Sequence, residues 1–179
     1  MKYLMSRRFI KWAAFPPLMV NGTLVSSVKD ALAIGSNIIE STAKEVAWLL
    51  PSEMLVLCFH YSIPEKSKML IKNGGRVRGI FHIASPFVEL ARSLLANGES
   101  LRHIQHYEGA FFLVGDAKQS ISSMYVNTED LTLDSEIVAF WSEEATYAEY
   151  LLSIFEPIWD QGVDAEARIQ ELLEPVNSE

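Results

Sequence analysis

The chain has 179 residues, 49% hydrophobic and 21% charged, with one cysteine and a formal net charge of −8. That length can bury a full core in one domain without staples, and the composition excludes general disorder. No cluster of Lys and Arg stands out to neutralise phosphates, so direct nucleic-acid binding is not expected, and the lone Cys58 excludes an internal disulfide and fits a reducing cytoplasm.

Residues 1–22 begin like a targeting segment, with Arg7-Arg8 ahead of apolar residues. The apolar run Trp12 to Val20 follows Lys11, is interrupted by Pro16-Pro17 and is only nine residues long. A spanning helix needs about 20, and a signal peptide wants a longer apolar core and a small-residue cleavage site. The segment therefore reads as an arm or the remnant of a linker, without a membrane span, and 23–179 as one α/β domain.

Leu24, Val28, Ala31, Leu32, Ile38 and Ile39 recur at helical spacing, predicting a helix over Leu24 to Lys44. Glu45 to Leu50 is a short buried strand stopped by Pro51, and Ser52 is placed to cap a helix through Leu57. Pro64 suits the first position of the next helix, which ends at Asn73-Gly74-Gly75. Arg76 to Ile83 alternates into a strand, and Pro86 to Asn97 into a helix that Gly98 terminates. This order predicts crossover units on a largely parallel sheet.

Leu101 to Val126 then reads as three short strands separated by Gly109 and Gly115-Asp116, around the apolar Ala110–Val114. A polar connection leads to a last strand at Glu136 to Trp141, and Glu143 to Asp160 forms a long amphipathic helix. Pro157 predicts a kink or break near Glu156. Gly162 closes that helix, and Asp164-Ala165-Glu166 opens a final one through Leu173. Trp48, Ile80, Phe112 and Val114 are expected in the core.

No phosphate-cradling glycine run, paired-cysteine set, His-Glu-x-x-His motif or nucleophile elbow is present, so neither a metal nor a cofactor is expected. His103 and His106, three apart on a strand, would face opposite sides. The polar groups of interest are Arg78 and His82, four apart on one predicted strand, with Arg102 and His103 opening the next. Parallel sheets dock ligands beyond the carboxyl ends of their strands. Two guanidinium forks and two imidazoles there would suit a small anion or a carboxylate, with Tyr125 or Trp159 as an apolar wall. The alternative is internal neutralisation by the many acidic residues. Trp48, Trp141 and Tyr147 either line a cavity or belong to plain core.

The Leu101–Val126 layout resembles the strand pair that carries the His-x-Lys motif of phospholipase D-like proteins. Counting back from Asp116 on the His-x-Lys-x4-Asp spacing, Gly109 stands where His should be and Phe111 where Lys should be. Arg76-Val77-Arg78-Gly79-Ile80 with Leu101-Arg102-His103 forms one further stretch, and Phe155-x-x-x-Trp159 with Ala165-Glu166-x-Arg168-Ile169 a second. Together they resemble a sensor domain of archaeal signal-transduction histidine kinases, notably of ammonia-oxidising archaea. They are also similar to the effector-binding part of archaeal TrmB-type regulators, which has a phospholipase D-like fold.

The resemblance implies a mixed, mostly parallel sheet with helices on both faces and no phosphodiesterase chemistry, hence no enzyme. It implies a sensory domain for a small polar or anionic metabolite, with a kinase or regulator as partner. The alternative is an interaction or homodimerisation module that docks through the helix Glu143–Asp160 and the terminal helix without a small ligand.

Overall fold

The computed structural model describes residues 20–105, 110–124 and 126–174. The arm up to residue 19, His106, Gly109 and Tyr125 lie outside the described residues.

The strands are β1 (Thr23–Ser27), β2 (Glu45–Leu49), β3 (Arg76–Phe81), β4 (Ser100–His103), β5 (Phe111–Gly115), β6 (Gln119–Ser123), β7 (Glu136–Ser142) and β8 (Val163–Asp164). They form one sheet in the order β1-β7-β6-β5-β2-β3-β4-β8. Helices α1 (Val28–Ser41), α2 (Ser52–His60), α3 (Ile63–Lys72), α4 (Val88–Ala96) and α6 (Ala165–Leu173) supply apolar side chains to one face. The other face is covered by α5 (Ala145–Gln161), which buries Ala148, Leu151 and Phe155 against Ala47, Leu49, Ile80, Phe112 and Val114. The α/β class with helices on both faces is as expected, and the four anticipated core residues are buried.

The balance of the sheet differs from expectation. Only β2–β3 and β3–β4 pair in parallel, and the other five neighbours are antiparallel. The crossover pattern holds from β2 to β4, where helices separate the strands. Beyond it, a tight turn joins β5 to β6 and can only return the chain antiparallel, and β7 arrives antiparallel through a longer connection.

Three local readings change with the tertiary context. Thr23–Ser27 is an edge strand paired with β7, because the helical phase begins only at Val28, while Leu24 is 75% exposed. Ser27 is the cap of α1, accepting the Asp30 N–H. Ser52 does not cap α2; its hydroxyl donates to the His82 carbonyl at 2.6 Å and ties α2 to the end of β3. Finally, α5 continues through Pro157 without a break, since packing of its buried face outweighs the one backbone hydrogen bond that proline forgoes.

Asp116 anchors the opposite edge of the sheet. Asp116 and Ala117 both take left-handed φ (50° and 53°), closing the β5–β6 hairpin with the Lys118 N–H on the Gly115 carbonyl. The carboxylate accepts the backbone N–H groups of Ala43, Lys44 and Glu45 at 2.8–2.9 Å. Burial opposes ionisation there, but these three donors and Lys118 outweigh it and hold Asp116 below the ordinary carboxylate range. The aspartate at the end of the motif spacing thus clasps the start of β2.

Candidate functional site at the carboxyl edge of the sheet

The parallel strands β3 and β4 run side by side, with Arg78 opposite Ser100, Ile80 opposite Arg102 and Phe81 opposite His103. Alternation along a strand therefore separates the four expected site residues into two pairs. Arg78 and Arg102 lie on the α5 face, where their guanidinium carbons stand 5.3 and 5.5 Å from the Trp159 ring centroid. His103 lies on the other face, and its ring centroid is 5.2 Å from that of His82, just beyond β3.

Arg78 is fully engaged. Its Nε donates to Glu45, and Nη1 and Nη2 form a fork onto both oxygens of Glu156 at 2.8 and 2.6 Å. The hydrogen bonds from Arg78 hold Glu156 below its usual range, and Arg78 in turn is raised, first by Glu156. For this residue the internal alternative, neutralisation by acidic neighbours, describes the contacts. Arg102 differs. Its register partner Asp164 caps α6 by accepting the Glu166 and Ala167 N–H groups, so Arg102 donates to the Gly162 carbonyl at 3.3 Å. Among the described residues it has no carboxylate partner.

The two imidazoles have defined tautomers by their backbone partners. The Ile83 N–H donates to His103 Nδ1 at 2.9 Å, so the proton of neutral His103 resides on Nε2. His82 Nδ1 lies 3.1 Å from the Ile104 carbonyl, which can only accept, so His82 Nδ1 carries a proton. Burial, then the electrostatic influence of Arg168 and His82, pushes His103 down to about 4, with Glu171 opposing. His103 is therefore neutral at pH 7.

A groove of about 410 Å³ opens beside this pair, between the end of β4, the last turn of α5, β8 and α6. His103, Gln105, Gln161, Arg168 and Glu171 give it polar groups, and Ile104, Ile158 and Val163 an apolar wall. Arg168 donates through Nε to the Ile83 carbonyl and through Nη1 to Glu171. Among the described sequence-derived site residues, His103 alone lines the groove; Arg102 and Trp159 pack behind it, and Arg78 stands apart.

Gln161, Arg168 and Glu171 did not emerge as site residues from the sequence. They reach the site because β8, a two-residue strand, folds α6 back against β4, and so short a strand leaves no periodic trace. The other aromatic candidates have separate roles. Tyr147 shares a 2.7 Å hydrogen bond with Ser122, Trp141 packs at the rim of the larger core, and Trp48 lines an interior cavity.

No family model matches the chain, and no curated protein matches it by sequence. Among solved structures it is similar to TrmBL2, an archaeal chromatin protein whose structure shows a novel mode of DNA binding. That match has TM-score 0.62 at 9% identity over 83% of this chain, and the chain spans 56% of TrmBL2. It is also similar to Nuc from Salmonella typhimurium, a phospholipase D family member, with TM-score 0.62, 14% identity, 80% of this chain and 98% of that one. NucT from Helicobacter pylori gives TM-score 0.63 at 13% identity, with the same two coverages.

These neighbours correct two expectations. The chain was expected not to be an enzyme, yet it shares its fold with a phospholipase D family member. Gly109 and Phe111 remove one arrangement of catalytic groups, whereas the carboxyl edge carries two imidazoles of its own. Direct nucleic-acid binding was also not expected, yet the fold is that of a DNA-binding chromatin protein. Net charge describes the whole chain, but binding depends on local surface. At these identities the likeness establishes architecture: the chain has a mixed α/β, phospholipase D-like fold.

Proposed function

We propose that this chain is the effector-binding domain of a regulatory protein and takes a small anionic or strongly polar metabolite in the edge groove. The observation that carries this reading is the convergence of donors on one concave site. His103, Gln105, Gln161 and Arg168, the last also paired with Glu171, line a volume of about 410 Å³. That size suits a small metabolite, and an arginine fork favours carboxylate or phosphate. Arg102, over Trp159, adds positive potential behind the site. His82 lies beside His103 in this reading. The phospholipase D-like fold and the TrmBL2 likeness support a role in archaeal signal transduction or transcription regulation, with a histidine kinase or a TrmB-type regulator as the associated machinery.

The test is a thermal-shift screen with sugar phosphates, nucleotides, dicarboxylates and a short oligonucleotide. A ligand at 100 times its dissociation constant adds about 2.7 kcal/mol, equivalent to roughly 5–10 °C for a chain of this size. Arg168→Ala should abolish the shift. A shift with the oligonucleotide that a free nucleotide competes away identifies a phosphodiester as the ligand. No shift with any compound overturns the reading. The interaction-module alternative was expected to dock through the helix Glu143–Asp160 and the terminal helix, but α5 turns its apolar side onto the sheet. It draws instead on Leu24, Met124 and Val138, exposed by 75%, 74% and 73% on or beside β1, β6 and β7. A stable dimer without any ligand response favours it.

A further inference from the structure

Helix α5 covers only part of its face of the sheet. A row of register partners crosses that face, from Leu49 on β2 through Phe112 on β5, Ser122 on β6 and Phe140 on β7 to Leu24 on β1. Leu49 and Phe112 are buried under α5. Tyr147 of α5 shares a hydrogen bond with Ser122, and its ring meets Phe140 edge to face at 5.4 Å. There the cover ends. Leu24, at the outer end of the row, is exposed, and so is Val138, two residues before Phe140 and therefore on the same face. Met124, just past β6, is exposed as well. Since β1 is the outermost strand, the result is an apolar sheet margin with an open edge, a surface that proteins ordinarily cover.

Acidic groups rim this margin. Glu136 shares the face of Val138, and Glu143 and Glu144 stand where β7 passes into α5. No cation pairs with any of the three among the described residues. From residue 127 to 174 the chain carries thirteen Asp and Glu against one cation, Arg168. A second copy of this face would set carboxylate against carboxylate, whereas an occupant both basic and apolar answers the rim and the margin together.

The chain itself supplies such a segment. Residues 1–19 contain Lys2, Arg7, Arg8 and Lys11 and no acid, interleaved with apolar residues such as Phe9, Ile10 and Trp12. The segment joins the fold at this margin. The Ser142 hydroxyl donates to the Asn21 carbonyl at 2.7 Å, and Asn21 Nδ2 donates to Glu144 at 2.9 Å. Gly22 lies so close to the Phe140 ring that a Cβ there would strike it. From Ser142 back to Glu136 is about 20 Å of strand, a length that about six extended residues span.

We propose that the bare β1–β7 margin is the docking face of the chain's own residues 1–19, whose basic side chains meet Glu136, Glu143 and Glu144 while apolar ones cover Leu24, Val138 and Met124. This face and the groove beside β4 and β8 lie at opposite edges of the sheet, so either reading can fail without the other.

The test attaches a nitroxide to Ser6→Cys in the full chain and reads line broadening at the methyls of Leu24, Met124 and Val138, with Leu173 of α6 as the reference. Cys58 does not compete for the label, because burial and then Glu99 push its thiol up to about 12. A tether alone broadens the near methyls whatever the charges, so the decisive readout is charge dependence. Combined Arg7→Glu and Arg8→Glu, Val138→Lys alone, and salt at roughly 1 M, where charges are screened beyond about 3 Å, should each reduce the broadening at Leu24 and Met124 about threefold or more. Broadening that none of the three diminishes is that of a tether and overturns the proposal, as does broadening at Leu173 equal to that at Leu24. Full broadening that passes from spin-labelled chains to separate isotope-labelled ones assigns the face to a second copy and overturns docking within one chain.

Discussion

The carboxyl edge and the interior cavity handle titratable groups in opposite ways. At the sheet margin on the α5 side, Arg78 is matched by Glu45 and Glu156, and the hydrogen bonds from Arg78 hold Glu156 in its ionised form. Under α1–α3, Glu99 has only neutral donors, and burial drives it toward the protonated form. His103, buried beside Arg168 and His82, is driven toward neutrality from the other direction. A charge persists in this fold where a counter-charge or, at Asp116, three backbone donors reach it, and it is suppressed at Glu99, where burial outweighs two neutral donors.

The sharpest way to break this contrast is to follow stability against pH. Glu99 has its folded value raised from 4.5 to about 7, so the folded state binds its proton more tightly. Its unfavourable contribution grows as pH rises from about 4.5 and is complete above about 7, amounting to roughly 3 kcal/mol. His103 has the reverse sign. Its folded value is lowered from 6.5 to about 4, so stability is lost as pH falls from about 6.5 toward 4. The two slopes oppose one another in the shared window. Urea unfolding of Glu99→Gln should therefore show stability falling on acidification. His103→Asn, which keeps an acceptor for the Ile83 N–H, should show it rising. Both variants behaving like the parent would remove the basis for the contrast.

The next effect is smaller and concerns the paired charges. Arg78→Ala leaves Glu45 and Glu156 without their fork, and Glu156 is half exposed, so a loss of about 2 kcal/mol is expected. Arg76, paired with the same Glu45 but largely exposed, should lose at most about 0.5 kcal/mol on change to alanine. Equal losses in chemical denaturation would mean that the fork adds nothing over a surface pair. The smallest effect has the opposite sign. Gly35→Ala should stabilise the fold by about 1 kcal/mol through helix propensity, because the added methyl meets no close neighbour. A destabilisation would show that the apparent space is already filled.

Helix and strand order from Glu45 to His103 was legible in the residues themselves. Pro51, Pro64, Asn73-Gly74 and Gly98 punctuate that stretch, and Gly74 and Gly98 do adopt positive φ, at 91° and 94°. The phospholipase D-like scaffold was also readable, through the spacing that ends at Asp116. Local chemistry produces such signals, so a single sequence carries them. The resemblance to a kinase sensor domain adds a role that the fold alone does not decide.

Pairing and partnership were decided elsewhere. Thr23–Ser27 became a strand only because β7 offered it an edge, and Val163–Asp164 only because β4 did. Arg78 and His103 were grouped by sequence proximity to strand ends, but strand alternation and register placed them on different faces, the first against Glu156 and the second beside Arg168. Nothing local marks Glu99, which simply follows the helix-ending Gly98. What made it unusual is the indole of Trp48 passing over Gly79 and the serine of α3 arriving from above. Composition, periodicity and turn residues act over a few neighbouring positions, and so the chain itself determined its elements and their order. A carboxyl's charge state or an arginine's partner depends on groups many residues away, and only the packed structure brings those groups within reach.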